Sequence, residues 1–226
     1  MSDAHAPTPP AAGSHRYFTL LYTPAALRDE LSTLFALADE IGSDPAVSAD
    51  HSLAHVRLEW WRHEAERFAR GEPQHPWLRS LLAHYPATAT LNLLALVEAA
   101  AIDLATRTLS SGNGNALQRA LFQLAASALC TQPLSAQLQT TLGELGAASQ
   151  RLEHDPTDQE ARDQLDLQLR NIGDTTQPQL APLLVWLALA ARRSHRGGPL
   201  LDSLTDNLIA WRAARRAAHG RFRLNQ

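Results

Sequence analysis

The chain has 226 residues, 45% of them hydrophobic and 19% charged, with a formal net charge of -3. These figures exclude collagen-like, disulfide-stapled and wholly disordered chains. They leave enough length to bury a substantial core, and give no electrostatic reason to expect non-specific nucleic-acid binding. Ala and Leu dominate, aromatics are only 6%, and few Val, Ile, Tyr or Phe are left to build a sheet, so composition points to helices.

In chain order, residues 1–16 read as a disordered leader without the apolar core of a secretory signal. Thr23-Pro24 then opens a helix, with Thr as N-cap and Pro at the first position. Leu27, Leu31, Leu34, Phe35, Ala38 and Ile41 share one face at a 3.6-residue period, and Gly42 and Pro45 end the helix. A second helix is predicted over 48–71 and a short one from His75-Pro76. A long one follows Pro86, over 88–109. The run SSGNGN at 110–115 reads as a loop. Further helices are predicted over 116–130, 135–152, 158–169, 180–193 and 200–218, the last two split by Arg196-Gly197-Gly198-Pro199. The expectation is one all-α helical bundle over residues 17–226, with Leu31, Leu34, Phe35, Trp60, Leu94, Val97 and Trp186 in its core. The single cysteine, Cys130, reads as a small buried hydrophobe. The longest apolar run, 180–191, falls short of the roughly twenty residues a bilayer span needs, so the expected location is cytoplasmic.

Some residues break this pattern. Along the second helix, a 100° step puts Leu53, Val56, Trp60, Trp61 and Phe68 in one apolar stripe, with Arg57 and Glu64 inside it. Charges there are costly unless paired. Arg57 and Glu64 are therefore expected to bond each other or a partner helix, or to line a cavity; Asp103, at the edge of the next long helix's apolar face, reads either as a surface residue or as a partner of Arg57 across the bundle. The functional reading of the same residues is a polar contact in a pocket walled by indole rings. The opposite face carries His51, His55, Glu59 and His63 at four-residue spacing, which suits metal ligands and a solvated face alike; no second ligand cluster accompanies it, and no metal site is assigned.

The stretches YFTLLYTPAALRDELSTLFALADEI, VRLEWWRHE and GEPQHPWLRSLL within residues 17–82 resemble the squalene/phytoene synthase family. So do VEAAAIDLATR and the C-terminal LAPLLVWLALAARR with GPLLDSLTDNLIAWRAARRA. The resemblance implies a terpenoid-synthase-like bundle with a central cavity for prenyl diphosphates. Active members carry two facing aspartate-rich motifs that hold Mg²⁺ against the departing diphosphate. Here the first motif reduces to Glu40 and Asp44, with Pro45 disfavouring helix at Asp44. The second has only Glu153, Asp155 and Asp158 as its nearest carboxylates, interrupted by Pro156. These departures resemble the family's branch without catalytic aspartates, which includes the mitochondrial complex I assembly factor type.

The leading expectation is therefore a non-catalytic protein that binds an isoprenoid or other apolar ligand, or a protein partner, and needs no cofactor. Arg57, Trp60, Trp61, Glu64 and Asp103 are its expected cavity residues. The alternative is an active Mg²⁺-dependent prenyltransferase making squalene- or phytoene-type products. The last helix adds an expectation of its own. Leu201, Leu204, Leu208 and Trp211 recur at helical spacing, and Arg212, Arg215, Arg216, Arg221 and Arg223 crowd the end. That combination suits peripheral contact with an anionic membrane face, while the same stripe could instead pack into the bundle.

Overall fold

The computed structural model describes residues 7–43, 51–84, 91–110, 114–172, 177–193 and 202–218. Among them the chain is all-α, with no strand. Ten helices follow in order: α1 His15–Tyr22, α2 Ala25–Gly42, α3 His51–Ala69, α4 Pro76–His84, α5 Leu93–Ser110, α6 Ala116–Leu129, α7 Ala136–His154, α8 Gln159–Ile172, α9 Ala181–Arg193 and α10 Asp202–Ala218.

Nine of these helices match expected elements, and α1 is the addition. Ser14 caps it by accepting a hydrogen bond from the Tyr17 N–H, a serine N-cap that proline-rich surroundings conceal in the sequence. His15 and Arg16, placed in the leader by the sequence reading, therefore belong to the folded bundle. His15 is buried, stacks on Trp186 and pairs with Glu153 at 2.5 Å.

The main core joins α2, α3, α5, α6, α7 and α9 through residues such as Leu31, Leu34, Phe68, Leu96, Leu121, Leu142 and Leu183. The apolar run 180–191 supplies α9, whose residues 182–190 are all buried, as expected of a helix that is hydrophobic all round. Trp186 on α9 meets the rings of Phe35 and Phe122 edge-on. The α6–α7 contact is close because Gly146 faces Phe122, where a Cβ would come within 2.6 Å of the ring. A smaller cluster of Phe18, Val185, Leu189 and Ala210 ties α1 and α10 to α9.

Of the expected core residues, Leu31, Leu34, Phe35, Val97 and Trp186 are buried and Leu94 packs partly buried against them. Trp60 is not core; it is 43% exposed. The buried face of α3 consists of Ala54, Trp61, Glu64, Ala65 and Phe68, while Leu53, Val56 and Trp60 lie outside. At 100° per residue the face is rotated by about 65° from the stripe that the large side chains suggest. Two alanines let α3 approach α5, and a charged residue inside the face hides it from a hydrophobicity count.

Candidate functional site

Four helix ends meet around a cavity of about 130 Å³, whose lining includes Gly42, Arg57, Asp103, Arg107, Gly114 and Gln150. The end of α2, the first half of α3, the second half of α5 and the start of α6 bring these residues together, and Gln150 reaches in from α7. The sequence reading placed Arg57 and Asp103 beside a common cavity, and both line this one. Trp60, Trp61 and Glu64 do not line it, so it is not walled by indole rings.

Asp103 and Arg57 each have a local structural task. Asp103 is 7% exposed, and its two carboxylate oxygens accept the N–H groups of Ala116 and Leu117 at 2.8 and 2.9 Å. Those are the first donors of α6, whose own N-cap residue Asn115 makes no side-chain cap bond. A carboxylate thirteen residues upstream thus caps the helix and meets the positive end of its dipole. Gly114 belongs to the same device, because any Cβ there would collide with the Asp103 carboxylate.

Arg57 does not pair with Glu64 or with Asp103, as the sequence reading allows. It is half-buried, and its guanidinium donates to the carbonyls of Glu40 and Ile41, the latter at 3.2 Å. These are among the last carbonyls of α2, which lack intrahelical donors, and a cation suits the negative end of that dipole.

Glu64 is fully buried, 0% exposed. One oxygen accepts the N–H groups of Gln74 and His75, each at 2.6 Å, and the other pairs with Arg67 at 2.5–2.7 Å. It therefore fixes the turn between α3 and α4. Trp60, Trp61, His75 and Trp77 pack ring against ring over that turn. The Trp60–Glu64 part of RLEWWRHE and the QHPW segment, which carry the sequence resemblance, meet here at a helix junction, while Arg57 and Leu58 line the cavity.

Glu40 is exposed and lines a separate surface groove with Arg16, Phe35, Asp39 and Trp77, bordered by residues 8–11 and Ser14. Asp44 lies outside the described residues. Glu153 pairs with His15. Asp155 accepts from the Thr157 hydroxyl and N–H, which hold its carboxyl below the usual range. Asp158 accepts the Ala161 N–H at the start of α8 and pairs with Arg151, which likewise lowers its carboxyl.

Magnesium held against a diphosphate needs carboxylate oxygens converging on one space. The described carboxylates do not fit that requirement: Asp103 is turned onto α6, Glu64 onto the α3–α4 turn, and Glu40 opens on another face. On the outer side of α3, Glu59 and His63 are exposed and 3.8 Å apart, and His55 is exposed beside them; the side chain of His51 lies outside the described set. Among the described residues no three His, Cys, Asp or Glu side chains stand together as metal ligands would.

The residues that the sequence reading missed are Arg107, Gly114 and Gln150. Only Gly114 carried a signal, as part of a glycine-rich loop, and nothing in the loop pattern says that a carboxylate from α5 fills the space its missing Cβ leaves. No protein-family profile, curated protein or solved structure matches this chain.

Proposed function

We propose that this chain is a squalene/phytoene synthase-like bundle with a non-catalytic role, binding an isoprenoid or other apolar ligand or a protein partner. One observation carries the reading: Asp103, the carboxylate that faces the interhelical cavity, is engaged by both oxygens in capping α6. A diphosphate-ionising site uses such oxygens for metal, and converting this one would uncap a core helix. The cavity itself supports the same reading. At about 130 Å³ it is well below the roughly 300–1,000 Å³ of ordinary ligand pockets, which favours a binding surface on the outside of the bundle over a prenyl chain held within it.

The test is incubation of the full chain with farnesyl or geranylgeranyl diphosphate and Mg²⁺, followed by product analysis. The reading expects no product above the protein-free control. Squalene, phytoene or their diphosphate intermediates formed with turnover, and lost in Glu40→Ala, would establish the prenyltransferase alternative instead.

A further inference from the structure

The buried face of α10 is made mostly of alanine. Asp206, Ala210 and Ala217 are buried, and Ile209, Ala213 and Ala214 pack partly buried against α1 and α9. Packing of this helix therefore leaves its large side chains outside. Leu208 is 42% and Trp211 47% exposed, with Arg212 and Arg215 exposed beside them. At 100° per residue these four fall on the side directly opposite Asp206, Ala210 and Ala217. The only acidic residue in the described side chains of α10, Asp206, is on the inner side, so no described carboxylate of α10 itself stands among Leu208, Trp211, Arg212 and Arg215. The Arg215 guanidinium lies 5.2 Å from the Trp211 ring centroid, a contact that leaves it at the height of the indole. Arg221 and Arg223 continue the basic run in the sequence, outside the described residues. No helix among the described residues is long and apolar enough to cross a membrane.

We propose that the outer face of α10 docks on the surface of a bilayer rich in acidic phospholipids, with Leu208 and Trp211 entering the headgroup region and Arg212 and Arg215 meeting the lipid phosphates. The occupant follows from shape and charge. A single convex helix offers no groove for a peptide, whereas a plane accepts it along its length. Indole at the interface, flanked by Arg whose stems lie along the apolar boundary, is the arrangement an interfacial helix requires. Acidic headgroups supply the negative charge for the two guanidinium groups, each contributing about fivefold in partitioning. This inference does not depend on the absence of catalysis, and its test leaves that question untouched.

Sedimentation of the full chain with vesicles decides it. The protein should pellet with vesicles containing phosphatidylglycerol at low salt, stay in solution with pure phosphatidylcholine, and be released as salt is raised. Leu208→Ala/Trp211→Ala and Arg212→Gln/Arg215→Gln should each weaken pelleting at least fivefold while leaving the far-ultraviolet circular dichroism unchanged, because these side chains lie outside the packed face. Absence from anionic pellets at low salt overturns the proposal. So does full binding by the Leu208/Trp211 variant, which would reduce the effect to non-specific adsorption of a basic tail, and so does undiminished binding by the Arg variant.

Discussion

Glu30 sits on α2 at 5% exposure, and burial pushes its carboxyl up to about 7 from an ordinary value of 4.5. Between those values the native state holds a proton that the unfolded chain has released. The stability associated with this group is thus full below about pH 4.5 and is lost as pH rises through about 7. Glu30→Gln removes the charge and keeps the shape of the protonated acid. At pH 8 it should be more stable than the parent by about 1–3 kcal/mol, and at pH 4 the two should coincide in urea unfolding. Equal stability at pH 8 would mean that the carboxylate is solvated or compensated. In the sequence Glu30 looks like an ordinary helix-surface acid, since burial depends on which helices close over α2. The same holds for Asp103: its place at the edge of an apolar face was legible, but its partners, the first N–H groups of the next helix, depend on how α6 packs back against α5.

Helix ends explain what three of the expected site residues do. Arg57 joins α3 to the C-terminal carbonyls of α2, Asp103 joins α5 to the N-terminus of α6, and Glu64 joins α3 to the turn before α4. Because the Arg57 guanidinium donates to neutral carbonyls at a half-buried site, Arg57→Ala should cost about 1.5–3 kcal/mol, below the roughly 3–5 kcal/mol of a broken buried ion pair. Denaturant unfolding distinguishes the two, and a loss above 3 kcal/mol would restore the ion-pair account. The elements themselves were largely visible: Pro76 at the first position of α4, the apolar run of α9 and the serine cap of α7 at Ser135 are local signals that tertiary contacts do not override. The rotation of α3 was not visible, because Ala54 and Ala65 bury a face without adding hydrophobic weight while Leu53, Val56 and Trp60 add weight and stay outside.

At the scale of the molecule, periodicity and composition suffice for an all-α bundle, whereas chemistry depends on where few polar groups converge. The sequence resemblance directs attention to RLEWW and the downstream His-Pro; Trp60, Trp61 and His75 of those segments meet Trp77 at the α3–α4 turn that the buried Glu64 holds, while Arg57 bonds the end of α2. The cavity lies along the same face of α3, toward its N-terminal half, where Ala54, Arg57 and Leu58 line it. Whether a carboxylate serves a metal or a helix is settled by the donors around it, and donors such as the Ala116 and Leu117 N–H groups carry no sequence signature.

Thermal unfolding of the parent and of Asp103→Ala, each with and without Mg²⁺ plus inorganic pyrophosphate, tests most directly whether the cavity carboxylate is a helix cap. The account predicts that Asp103→Ala loses about 1–3 kcal/mol, the range for a lost cap and two orphaned donors. It also predicts that the midpoint of neither protein moves when magnesium and pyrophosphate are added. A rise of several degrees in the parent that disappears in Asp103→Ala would contradict it, because ligand that binds only the native state raises the midpoint by mass action, and Asp103 would then be holding metal.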